Sequence, residues 1–169
     1  MLEVEFLKKF PLFAGLSDEK LLKLKTLMEE KDYPRGSILI KDGDHGEEMF
    51  ILLDGDVEIS KQMIIKMDNV DAGGAKDKSL LRLSSKFHAC FGEMALFEEN
   101  SERSATVTAV TNCRLAIMRR SDFAKYIETD YEVGSVIFRN LAKIISDRLK
   151  KANKDILKLT TAFVLAVEK

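Results

Sequence analysis

Between Lys31 and Arg119 the chain breaks into short β-forming runs, each closed by a turn signal. The runs SILI, MFILL, DVEIS, MIIK, SLLRL, ATVTAV and RLAIM are separated by PRG, KDGDHGEE, LDGD and MDNVDAGGAKDK. Asp-Gly and Gly-Gly pairs in those turns supply residues that tolerate positive φ, so the chain can reverse tightly at each one. Seven or so short antiparallel strands with such regular turns predict a mainly β domain, a barrel or jelly roll (double-stranded β-helix). MDNVDAGGAKDK reads as a hairpin insertion with no chemistry of its own.

Helical segments flank this zone. From Met1 to Met28 apolar residues recur at helical spacing: Leu2, Phe6 and Leu7, then Leu21, Leu22, Leu24, Leu27 and Met28. Pro11 and Gly15 interrupt the middle, which predicts two short helices joined by PLFAGL, the second opened by Ser17 as N-cap. After Arg119, SDFAKYIE predicts a short helix capped by Ser121. The remainder to Lys169 has no proline and reads as one helix of about 35 residues. Val133, Ile137, Leu141 and Ile144 form a stripe that can pack on the helix's own domain. Phe138, Ala142, Ile145, Leu149, Ala152, Ile156, Leu159, Phe163 and Ala166 form a second stripe at heptad spacing. One small barrel cannot bury both stripes, so a parallel homodimer through this helix is the economical expectation, a neighbouring domain being the other way to cover it. The expected division is 1–130 for the β domain with its helical lead-in and 131–169 for the long helix.

Bulk properties exclude several classes. The formal net charge of −1 gives no global field for nucleic acid or an anionic membrane. No apolar run approaches the roughly 18 residues needed to span a bilayer. The N-terminal stretch has acids among its apolar residues and no small-residue cleavage site, so no signal peptide is expected. Cys90 and Cys113 form no disulfide framework and read as buried thiols, consistent with a cytoplasmic protein. With only His45 and His88, and no cysteine beside an evident base, no catalytic constellation emerges and no enzyme is expected. Asp42, Asp44, Glu47 and Glu48 crowd one turn without EF-hand spacing.

The segment FGEMALFEENSERSATV, Phe91 to Val107, carries the most chemistry. Phe91 ends a strand, Gly92 allows a tight turn, and EMALF is long enough for one helical turn whose first amides suit an anion. Arg103 then opens the next strand, where its guanidinium can fork onto two phosphate oxygens, with the hydroxyls of Ser104 and Thr106 nearby. Glu93 is odd beside a phosphate but accepts hydrogen bonds well from a sugar hydroxyl. A ribose phosphate would satisfy both residues. Read singly, Glu93 is a helix N-terminal acid and Arg103 a solvated strand residue paired with Glu102 or Glu99; only the combination points to a ligand.

FGEMAL followed by ERSATV resembles the phosphate-binding cassette of the cyclic nucleotide-binding domain family, in the catabolite activator protein-like (CRP-like) branch. IKDGDHGEEMFILLDGDVEIS, Ile40 to Ser60, resembles that family's glycine-turn signature, FLKKFPLFAGLSDEKLLKL its helical lead-in, and the final helix its dimerisation and hinge helix. The resemblance covers nearly all of the chain in the right order. It implies a cyclic nucleotide held by Phe91, Gly92, Glu93, Met94 and Ala95, by Arg103, Ser104 and Ala105, and by Arg148 and Asn153 of the long helix. Glu93 would take the ribose 2′-hydroxyl. Arg103 would take the cyclic phosphate, helped by Ser104 and the amides around Gly92, Glu93 and Ala95. Gly43, Gly46 and Gly55 would be scaffold turns.

Three departures shape the expectation. SSKFHACFGE is bulkier before the cassette than the family usually has. Arg148-Leu149 is followed by Ala152-Asn153, so the family's threonine is replaced and only Asn153 offers an amide to a purine. That leaves cAMP as the expected ligand on resemblance alone, with cGMP as the other candidate. The third departure is that no helix-turn-helix follows the long helix before Lys169, which implies either a stand-alone sensor acting through an unidentified protein partner or part of something larger. The basic residues Arg139, Lys143, Arg148, Lys150, Lys151, Lys154 and Lys158 spread around the helix like a solvated face, not a nucleic-acid stripe. Two alternatives stay open: haem or another small effector, through His88 and Cys90, and a dimeric scaffold that takes no nucleotide.

Overall fold

The structure is a computed structural model that describes residues 2–63, 76–97 and 102–167. Its eight strands are β1 Met28–Tyr33, β2 Ile38–Ile40, β3 Glu48–Asp54, β4 Asp56–Met63, β5 Lys76–Ser84, β6 Cys90–Phe91, β7 Thr106–Ala109 and β8 Cys113–Arg119. They form two four-stranded antiparallel sheets, ordered β1-β8-β3-β6 and β2-β7-β4-β5, as a jelly roll requires. The helices are α1 Val4–Leu7, α2 Asp18–Thr26, α3 Arg120–Thr129 and α4 Tyr131–Val167. β4 and β5 pair from Asp56↔Ser84 to Met63↔Lys76. The MIIK run beyond Met63 and most of MDNVDAGGAKDK lie outside the described residues.

Strand β3 explains the layering. Met49, Phe50, Ile51, Leu52 and Leu53 are all buried, so this strand has no solvent face. Because side chains alternate, Phe50 and Leu52 enter the core between the sheets, while Met49, Ile51 and Leu53 face the helices. β8 divides the same way, with Leu115 inside the sandwich and Ala116 and Met118 against the helices. The first sheet is therefore the middle layer of three. Each fully buried Leu, Ile, Phe or Met contributes about 1.5–3 kcal/mol, and this doubly covered sheet anchors the fold.

Among the described residues, helix α4 binds to that layer through its first half only. Val133, Ile137 and Leu141 are fully buried and Ile144 packs at the margin. The Asn140 amide donates to the carbonyls of Leu12, at 3.0 Å, and Ala14, at 2.8 Å, tying the helix to the 3₁₀ turn Pro11–Phe13. Lys20 of α2 adds an ion pair to Asp130 at the α3–α4 junction. Beyond that, Leu149, Ile156, Leu159 and Phe163 are each 60% exposed or more. The second stripe is thus uncovered from Leu149 onward, while its first member, Phe138, packs against Phe97 and Phe123.

Several local expectations needed correction. Met28 is not the end of the lead-in helix but the first residue of β1, whose sequence MEEKDY alternates nothing. Among the described residues that strand lies at the sheet edge and pairs only with β8, where a polar strand is tolerated. The two-residue strand β6 also escaped the pattern. Ser17 stands at the N-cap of α2 but its side chain makes no capping bond. Ser121 is inside α3, which begins at Arg120 with Arg119 at the cap.

The β3–β4 turn depends on Gly55 at φ +92°. A Cβ there would overlap the Asn112 carbonyl oxygen and lie 2.8 Å from the Cys113 sulfur. Gly55→Ala is expected to lower unfolding free energy by about 1–3 kcal/mol in urea denaturation. An unchanged midpoint would mean the turn re-forms without strain.

Candidate functional site

Two arginine forks define the site, and each is held by a different part of the fold. Arg103 precedes β7 and is fixed by its main chain to the glycine turn before β3. Its N–H donates to the Asp44 carbonyl at 2.7 Å and its carbonyl accepts from the Gly43 N–H at 2.9 Å. The side chain is 8% exposed and lies flat over Gly46, where any Cβ would overlap the guanidinium. Phe50 lies beneath it, 6.0 Å from ring centroid to Cζ. Nη2 donates to the Glu48 carbonyl at 2.9 Å and to the Glu48 carboxylate at 3.3 Å, and Nη1 to the Gly92 carbonyl at 3.4 Å. Burial pulls the guanidinium below its ordinary pKa and Glu48 opposes that shift, yet an arginine stays charged. So Arg103 is not a solvated strand residue, and among the described residues its ionic partner is Glu48 rather than Glu102, while Glu99 lies outside the described residues.

Gly92, at φ +71°, turns the chain out of β6 into the 3₁₀ turn Glu93–Leu96. A Cβ at that position would be 3.1 Å from both Arg103 Nη1 and the Glu48 carbonyl, so only glycine lets the turn sit against the fork. The Ala95 N–H donates back to the Gly92 carbonyl at 3.2 Å, leaving it engaged within the turn.

Glu93 is buried at the start of the turn and meets the second fork. Arg148, from the middle of α4, donates through Nη1 to Glu93 Oε1 at 2.7 Å and through Nη2 to the Cys90 carbonyl at 2.6 Å. Arg148 thereby grips both the acid of the cassette and the strand before it, beside the apolar contact of Phe138 with Phe97, whose ring centroids are 5.4 Å apart.

Phe91, Gly92, Glu93, Met94, Ala95, Arg103, Ser104, Ala105 and Arg148 border one cavity of about 120 Å³. Asn153 does not; it is exposed on α4. Nor does Thr106, whose hydroxyl accepts from the Asp42 N–H at 3.1 Å. Ile40, Ile59, Glu102 and Val107 also line the cavity and were not foreseen, since nothing separates them in sequence from other strand and loop residues. Glu48, the partner of Arg103, was noted only as one of a crowd of acids. His88 packs its ring against Phe10 and Phe6, and Cys90 belongs to the core cluster beside Met49 and Ile51. Neither lines the cavity. A larger groove adjoins it at Arg148, between Leu81 and Leu83 of β5 and Ile144 and Ala152 of α4. The cavity can therefore hold an anion at the Arg103 guanidinium and a hydrogen-bond donor at the Glu93 carboxylate.

Burial, reinforced by the Glu93 carboxylate, pushes the Cys90 thiol up to about 11. At pH 8 a disulfide reagent such as Ellman's should label native Cys90 at least about tenfold more slowly than in denaturant, because thiolate is the reacting species. Equal rates would show that β6 opens readily.

The sequence profile of the cyclic nucleotide-binding domain family matches residues 30–130. The chain is 27% identical over 150 residues to the cyclic AMP receptor protein of Thermus thermophilus, covering 89% of this chain and 62% of that one. It is 30% identical over 159 residues to glutaminase 1 of Bradyrhizobium diazoefficiens, covering 94% of this chain and 23% of that one. The crystal structure of the Thermus thermophilus catabolite activator protein superposes with a TM-score of 0.70 at 26% identity, covering 89% of this chain and 63% of the other. The chain thus spans less than two thirds of the length of these relatives. It belongs to the cyclic nucleotide-binding domain family, in company with CRP-like proteins.

Proposed function

We propose that this chain is a cyclic-nucleotide sensor, with cAMP as its first ligand and cGMP as the alternative, that signals by shifting its long helix. The observation that carries this reading is the convergence on one cavity of a buried guanidinium, a buried carboxylate and a hydroxyl, from Arg103, Glu93 and Ser104. Relatives named for cyclic AMP support the same chemistry. Arg103 would pair with the cyclic phosphate through the N–H groups that do not face Glu48, with Ser104 beside it. Glu93 would accept from the ribose 2′-hydroxyl, and the base would extend past Arg148 toward the groove between β5 and α4. Asn153, outside the cavity, would reach a base only if α4 turns or a second copy presents it.

The output follows from Arg148. Because its fork holds Glu93, a ribose that bonds to Glu93 must either displace that fork or join it. Either way the ligand has a different affinity for different positions of α4, which is the requirement for allosteric coupling. The exposed stripe Leu149, Ala152, Ile156, Leu159 and Phe163 supports a homodimer through α4, whose surface an unidentified protein partner would read. The role is regulatory, not catalytic, and the setting cytoplasmic. Among the described residues no helix is long and apolar enough to cross a membrane.

Calorimetric titration with cAMP and then cGMP tests this reading. Micromolar or tighter binding is expected, weakened by roughly ten- to a hundredfold in Arg103→Ala, as loss of a charge-assisted pair implies. The variant's sedimentation should match the wild type. Loss of the dimer in that variant, or unaltered affinity, would defeat the assignment.

A further inference from the structure

Resting on the reading of Arg103 as the phosphate-binding residue, we infer that Glu48 is a built-in competitor of the ligand phosphate and sets the affinity of the site. Its carbonyl and its carboxylate both accept from the same nitrogen, Nη2 of Arg103, at 2.9 and 3.3 Å. The carbonyl is neutral and fixed in β3, so it orients the fork at no electrostatic cost. The carboxylate adds a full negative charge on that fork, where a phosphate must add another.

The surroundings sharpen the competition. Arg103 is 8% exposed, so its charge is poorly screened by water, whereas the Glu48 side chain is 40% exposed and can swing into solvent. Its neighbour Glu47 cannot take over, because it pairs with Arg120 at 2.6 Å on the first turn of α3. Glu102 also lines the cavity, and Glu93 is already matched by Arg148. Arg103 is therefore the cation available to a phosphate at the inner end, and Glu48 is its ionic partner among the described residues. An incoming phosphate shares the fork with Glu48 or drives the carboxylate outward. Both routes reduce affinity while leaving the orientation of Arg103, held by the Glu48 and Gly92 carbonyls, intact.

Glu48→Gln removes the charge and keeps an acceptor of the same shape. Titrating wild type and variant with cAMP at low salt, the variant should bind about three- to tenfold more tightly, the size expected for a like charge near a partly screened phosphate. The gain should shrink in 0.5 M NaCl, since the carboxylate is half-exposed. A merely structural role for Glu48 would instead give equal or weaker binding and no salt-dependent difference; that result overturns the inference while Arg103→Ala still reports on the site itself. If the wild type binds neither cAMP nor cGMP, the assignment of Arg103 falls and this inference with it. Glu48→Ala gives a second check against misfolding: it too removes the charge, and its affinity should lie at or above that of the wild type.

Discussion

A guanidinium placed inside a protein must find acceptors, and the position of Arg103 depends on finding them in two separate segments. The carbonyls of Glu48 and Gly92 belong to the start of β3 and to the turn after β6, and both converge on one fork. The absence of a side chain on Gly46 leaves room for that fork, and Gly92 must be a glycine to approach it. A side chain at either glycine would push the guanidinium away from those carbonyls, and a buried charge short of acceptors is the costly case for a protein interior. The glycine-rich turns are thus part of the site's construction as much as of the fold's.

The second consequence concerns distance. α4 is 37 residues long, about 55 Å at the helical rise, and only its first half has a core to lie on. Arg148 sits where that support ends, and it reaches back to Glu93 and the Cys90 carbonyl. A side chain at that point has leverage: the buried half fixes the helix, and the exposed half carries any change outward. The site and the long helix are thereby linked by the polar grip of Arg148 and by the ring contact of Phe138 with Phe97.

Much of this was legible in the sequence because the physics is local. The β runs announced themselves by β-branched and apolar residues between turn formers, and the two stripes of α4 by their spacing. FGEMAL and ERSATV brought the cavity residues together because turn and strand are adjacent in chain as well as in space. What was illegible depends on partners far away in sequence. MEEKDY gave no strand signal, since β1 exists through its pairing with β8 at an edge where polarity costs little. Nothing in GEEMF distinguished Glu47, which turns to Arg120, from Glu48, which turns to Arg103; their facing is decided by strand pleat and by partners 73 and 55 residues away. Likewise Arg148 could be matched to a pattern but its grip on the Cys90 carbonyl could not.

The central claim is that ligand chemistry at the cassette is transmitted to α4 through Arg148. Hydrogen–deuterium exchange with and without cAMP tests it most directly. The account predicts that saturating cAMP changes exchange both in the turn around Glu93 and in α4 around Arg148, and that Arg148→Ala confines the change to the turn. A wild-type response limited to the turn, with α4 exchanging identically in both conditions, would contradict it.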